Sequence, residues 1–174
     1  MAGKSDIKLL IPEAKIKKRV SELAHEITYD YRGKIPIFVG VLNGAFVFMA
    51  DLLREVKLEA EVDFLKLSSY GDRKISTGDV KLKNNLNCAI ANRDILVVED
   101  IVDSGVSASF IWELISSHKP TSLEFVALLY KEGLSLRNFK VKYIGFRIPD
   151  KFVVGYGLDY AQKYRNLKSI YYLK

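Results

Sequence analysis

Apolar and polar positions along this chain fall into two kinds of stretch that take turns. Residues 35–42 (IPIFVGVL) and 95–98 (ILVV) are continuous apolar runs, the pattern of inner parallel strands covered on both faces. Residues 61–70 (EVDFLKLSSY), 121–130 and 141–146 read as further strands, with Val62, Phe64, Leu65 and Leu67 as the apolar positions of the first. Between the strands the period changes to that of a helix. Over 12–31, Ile16, Val20, Leu23, Ala24, Ile27 and Tyr31 recur at helical spacing, Pro12 suits the first turn and Gly33 the stop. Over 45–56, Phe46, Met49, Leu52, Leu53 and Val56 share one face, and from Ser107 onward SASFIWELISSH is helical again. This alternation predicts an α/β fold, a mainly parallel central sheet flanked by helices.

Two strand-to-helix turns carry candidate chemistry. The run 95–98 ends in Glu99 and Asp100; Asp103, Ser104, Gly105, Val106 and Ser107 follow directly before a helix. Free amides at a helix start, a glycine and two hydroxyls suit a phosphate monoester, and the carboxylates suit a ribose diol or a Mg2+ ion already carrying pyrophosphate. Acids beside a helix start can also simply complement the macrodipole. The other turn, Leu42-Asn43-Gly44, puts backbone amides at the carboxyl end of a strand, where open α/β sheets bind ligands. The polar stretch 71–79 (GDRKISTGD) reads as a surface loop or hairpin tip.

Composition narrows the class. At 174 residues and 49% hydrophobic the chain suits one globular domain, with no apolar run long enough for a bilayer and no secretory leader. Cys88 is the lone cysteine, which fits a reducing cytoplasm, and two histidines with one cysteine disfavour structural zinc. His25, on the first helix, has no partner in the sequence. The net charge of +6 comes from basic residues spread along the chain, which suits a polyanionic small substrate better than nucleic acid. Gly155-x-Gly157 lacks a third glycine and opens no helix, so it is not a dinucleotide fingerprint.

The motifs now carry a resemblance. VVEDIVDSG is similar to the ribose-phosphate signature of the type I phosphoribosyltransferases, FVGVLNGAFVFMADL to the pyrophosphate loop of their 6-oxopurine branch, and PDKFVVGYGLDY with YRNL to the hypoxanthine-guanine enzymes. It spans about 35–167, most of the chain. The resemblance implies one domain over 1–174: a core at about 35–147 and a small hood from the N-terminal segment and about 148–174. It also implies a flexible lid that includes Ser69 and Tyr70, homodimers or homotetramers, Mg2+ as cofactor, and no nucleic-acid or membrane partner. Its reaction joins a 6-oxopurine to 5-phosphoribosyl 1-pyrophosphate. In this chain Glu99 and Asp100 would engage ribose or metal, and Asp103 to Ser107 the 5′-phosphate, with Asp103 as general base. Leu42, Asn43, Gly44 and Arg165 would meet pyrophosphate, and the peptide joining Leu42 to Asn43 can be cis in relatives. Lys131 would donate to the exocyclic oxygen, while Lys151, Phe152 and Val153 would frame the base. Asp159 would line the purine site and hold a second Mg2+. Two departures stand out. Asn43 replaces the usual cation of the pyrophosphate loop, and EGLSLR after Lys131 lacks the customary basic residue, for which Arg137 is the substitute at hand. An RNA-binding regulator of the same fold and an enzyme for another base, xanthine above all, remain open alternatives.

Overall fold

A computed structural model describes residues 7–69, 80–84, 86–133 and 140–174. Among the described residues nine strands and three helices follow one another as β1 (Ile7–Ile11), α1 (Glu13–Asp30), β2 (Ile37–Leu42), α2 (Phe46–Glu55), β3 (Glu61–Ser69), β4 (Val80–Asn84), β5 (Asp94–Val102), α3 (Val106–Ser116), β6 (Ser122–Lys131), β7 (Tyr143–Ile148), β8 (Val153–Val154) and β9 (Ile170–Leu173). Six strands form the main sheet in the order β4-β3-β2-β5-β6-β7; only β4 runs antiparallel.

The pleat of the inner strands sorts their side chains between two cores. Phe38, Leu96, Val98, Val126 and Leu128 face α1 and α2, whose Ile16, Leu23, Ile27, Phe48 and Leu52 close that side. Ile37, Val39, Ile95, Val97, Phe125 and Ala127 face α3 through Ala108, Ile111 and Ile115. The expected inner strands are therefore present, each covered on both faces. Because β2 feeds α2 on one face and β5 feeds α3 on the other, the crevice between their carboxyl ends is a topological switch point.

Three elements differ from the pattern along the chain. On α2 it is Phe48, not Phe46, that is buried; Phe46 stays 46% exposed. On β3, Val62 and Phe64 face outward, while Asp63 turns in, 4% exposed. Asp63 pays for that burial by accepting four hydrogen bonds: from the N–H groups of Phe64, Asn87 and Cys88, and from the Asn87 side-chain amide. Lys131 is the last residue of β6, not the first beyond it.

A second sheet, in the order β1-β9-β8, brings the segment before α1 against the segment after β7. It is antiparallel throughout. Among the described residues no helix is long and apolar enough to cross a membrane.

Candidate active site

The carboxyl ends of β2, β5 and β6 and the segment after β7 enclose two adjoining clefts. One, of about 300 Å³, is lined by Leu42, Glu99, Asp103, Ser104, Gly105 and Ser107 among others. The other, of about 230 Å³, is lined by Asn43, Gly44, Lys131, Lys151, Phe152, Val153, Asp159 and Arg165. Asp100, Ile101 and Asp103 belong to both. Of the site residues named along the chain, all but Ser69, Tyr70 and Val106 line one cleft or the other, with Val41, Leu67, Ile101, Val102, Ala108 and Leu158 beside them. Ser69 ends β3; Tyr70 and the polar stretch 71–79 lie outside the described residues, as does Arg137. His25 takes no part: on the exposed side of α1, its Nδ1 meets the Ser21 carbonyl.

The first cleft ends at a helix start. Gly105 has a left-handed φ of 77° and caps α3, which begins one residue earlier than its sequence pattern suggests. The reversal turns the amides of the first helical turn toward the loop, where the Val106 N–H has only a long 3.5 Å contact to Ser104 Oγ. Glu99 and Asp100 are the deepest acids of the site. Burial raises Glu99 well above the usual carboxylate range, and the neighbouring Asp100 charge adds to it. Asp100 is pushed up to about 6 by burial, against main-chain N–H groups of Ile101 and Asp100 and the Arg165 charge, which lower it. Glu99 faces only the first cleft and Asp159 only the second, with Asp100 between them. Among the described residues no three His, Cys, Asp or Glu side chains converge on one metal position.

At the Leu42-Asn43-Gly44 turn the Leu42–Asn43 peptide is cis. Gly44 lies so close to Asp100 that a Cβ there would overlap the carboxylate. A Cβ on Gly157, whose φ is 99°, would in the same way run into the Gly44 carbonyl. Gly157 in turn accepts a hydrogen bond from Arg165 Nη1 at 2.8 Å, and Arg165 Nη2 pairs with Asp159 Oδ1 at 2.7 Å. The Arg165 and Asp159 side chains therefore hold each other in this state.

In the second cleft Lys131 is the central cation. Its side chain is 11% exposed, and its Nζ lies 2.7 Å from Asp103 Oδ1 and 2.8 Å from Asp150 Oδ1. Burial alone would lower its pKa; the two carboxylates outweigh that and raise it, so Lys131 is an ammonium. Phe152 stays 55% exposed, its ring edge-on to Tyr160 at 5.8 Å, which leaves an apolar face beside the lysine. Two main-chain groups of the 151–152 segment are already used. The Lys151 N–H donates to the Pro149 carbonyl, and the Phe152 carbonyl accepts from the Leu173 N–H. The Lys151 ammonium lies over the Tyr172 ring at 4.0 Å. Asp150 and Ile101 are among the residues that reasoning from the sequence leaves out. Asp150 stands 19 positions from the lysine it meets, and nothing along the chain links the two.

Known proteins share this arrangement. The family described as Phosphoribosyl transferase domain matches residues 11–161. The chain belongs to the phosphoribosyltransferase family. Within it, the chain is 46% identical to the hypoxanthine-guanine phosphoribosyltransferase of Bacillus subtilis, over 98% of this chain and 96% of that one. It is 48% identical to the hypoxanthine phosphoribosyltransferase of Escherichia coli, over 96% and 95%. Among solved phosphoribosyltransferases, a hypoxanthine phosphoribosyltransferase from Staphylococcus aureus superposes with a TM-score of 0.91 at 42% identity, covering 98% of this chain and 93% of that one.

Proposed function

We propose that this protein is a purine-salvage phosphoribosyltransferase that joins hypoxanthine, and guanine, to 5-phosphoribosyl 1-pyrophosphate, giving IMP or GMP and pyrophosphate. The observation that carries the reading is a buried ammonium, Lys131, set between a candidate base, Asp103, and an open aromatic face, Phe152, in a cleft that adjoins a phosphate-binding helix start. Lys131 can donate to an exocyclic oxygen; an adenine amino group offers no equivalent acceptor.

In this reading Ser104, Gly105, Val106 and Ser107 hold the 5′-phosphate, with Glu99 and Asp100 beneath the ribose. Gly44 and its neighbours Leu42 and Asn43 meet the leaving pyrophosphate, together with Arg165 once it exchanges Asp159 for phosphate oxygens. Lys151, Phe152 and Val153 frame the base. Asp103 receives the N7 proton as N9 bonds to the anomeric carbon and the carbon–oxygen bond to pyrophosphate breaks. Mg2+ fits this donor set. Magnesium is usually held by one or two carboxylates plus substrate phosphates and water, and the spread of Glu99, Asp100 and Asp159 over two clefts offers that and no closed cage. Bound with the substrate, it would take up charge on the leaving pyrophosphate.

The small sheet with the segment from about 148 onward acts as the hood over a core at about 35–147, in one domain over 1–174. We also propose a homodimer or homotetramer. Phe46 of α2 and Val62 and Phe64 of β3, all 38–46% exposed, supply apolar surface for a second copy. Light scattering that gives the mass of a single chain at micromolar concentration would refute that assembly. A lone, partly buried cysteine suits a cytoplasmic setting.

The decisive experiment is a steady-state assay with phosphoribosyl pyrophosphate and Mg2+, offering hypoxanthine, guanine, xanthine and adenine in parallel. Turnover of the 6-oxopurines without adenine is expected. Folded protein that turns over no purine overturns the reading and favours RNA binding. In the same assay Asp103→Asn is expected to lower kcat by about 100-fold, the low end for a general base, with nucleotide affinity kept. A wild-type kcat in that variant would remove Asp103 from the proton transfer.

A further inference from the structure

We infer that Asp150 is a positioning residue that keeps the Lys131 ammonium aimed at the base through the reaction. Lys131 ends β6, the strand between β5 and β7. Asp103 follows β5 and Asp150 follows β7, so the lysine is bracketed by carboxylates from the loops of both neighbouring strands, at 2.7 and 2.8 Å. An ammonium has three N–H donors. Two carboxylates take two of them and leave the third for an incoming carbonyl oxygen.

The two carboxylates are not equivalent. Asp103 changes charge when it takes up the purine proton, and its hold on Lys131 weakens at that moment. Asp150 has no such duty, and its side chain is 86% exposed against 61% for Asp103. With Asp103 as the only partner, the free enzyme would draw Lys131 fully onto the base, withdrawing donor and acceptor together. At proton transfer the lysine would then be left a buried cation without a counter-charge. A second, chemically idle carboxylate divides the ammonium and prevents both. Folding does not explain the pair, because an acid this exposed contributes little to stability.

This inference rests on the reading of Lys131 as the residue that meets the 6-oxygen, and its test separates the two. Asp150→Asn, Asp150→Ala and Asp150→Glu are titrated calorimetrically with IMP, which carries that oxygen, and with ribose 5-phosphate, which carries no base. Steady-state KM values for hypoxanthine and phosphoribosyl pyrophosphate are measured alongside. The Asn and Ala variants are expected to bind IMP about 10-fold more weakly, with the KM for hypoxanthine raised by a similar factor, the scale of one misdirected charged hydrogen bond. Ribose 5-phosphate affinity and the KM for phosphoribosyl pyrophosphate stay within about two-fold, and Glu recovers most of the loss. An Ala variant that binds IMP as the wild type does overturns the inference. So does equal weakening toward IMP and ribose 5-phosphate, which would indicate a deformed turn. Wild-type protein that binds ribose 5-phosphate no less tightly than IMP would instead refute the role of Lys131 itself.

Discussion

Gly44→Ala is expected to lower kcat/KM for phosphoribosyl pyrophosphate by about 100-fold or more while the protein stays folded, since a misplacement of about 1 Å can cost that much. The added methyl would occupy the position of Asp100 Oδ2, and the loop cannot retreat because its carbonyl is already packed on Gly157. Either the Asp100 carboxylate swings out of the clefts it lines or the 42–44 turn shifts. Both separate groups that must act on one substrate. The fold itself should lose about 1–3 kcal/mol, the usual range for overpacking, so circular dichroism and a urea midpoint identify the loss of activity as local. An alanine variant with wild-type kcat/KM would show that Asp100 and Gly44 need not touch during turnover.

Asp63→Ala is expected to act in the opposite way, costing about 3 kcal/mol of stability with little direct effect on chemistry. Its carboxylate accepts from four donors and ties the 86–88 segment to β3; alanine leaves those donors without their charged acceptor. Burial by itself would raise the Asp63 pKa, but the N–H groups of Cys88, Phe64 and Asn87 outweigh it and hold it below the ordinary value. The sign follows from linkage. A depressed folded-state pKa gives stability that is present above the unfolded value of about 3.9 and lost as the pH falls through the folded value. Urea unfolding of the wild type should therefore weaken steeply below about pH 4, and Asp63→Asn should show a shallower acid slope. Equal acid slopes in the two proteins would exclude the carboxylate as the fastener.

What could be read along the chain was whatever is local. The inner strands are legible because burial on both faces demands an unbroken apolar run, and the loop from Glu99 to Ser107 because strand, acids, glycine and helix follow one another directly. The strands β1, β4, β8 and β9 were not legible: they have two to five residues each, and β1 and β8 find their partner β9 at the far side of a turn or of the whole chain. The fastening role of Asp63 is invisible along the chain, since three of the four hydrogen bonds it accepts come from 24 or 25 positions away. That Phe46, Val62 and Phe64 stay exposed could not be read from their apolar positions, because hydrophobicity alone does not tell an inner face from an outer one. The site residues emerged through motif resemblance; the ion pairs that bind Lys131 to Asp150 and Arg165 to Asp159 belong to the folded arrangement alone.

One contact has a mechanical meaning. The Asp100 carboxylate, Gly44 and Gly157 are stacked in series, and the one side chain of the three lines both clefts. A joint made of bare main chain has no rotamers, so it cannot slip or absorb a displacement by reshuffling side chains. The Gly157 turn, which carries Arg165 on its carbonyl, thus bears on the 42–44 turn main chain against main chain. The three segments thus behave as one gauge, its spacing set by the thickness of a peptide unit.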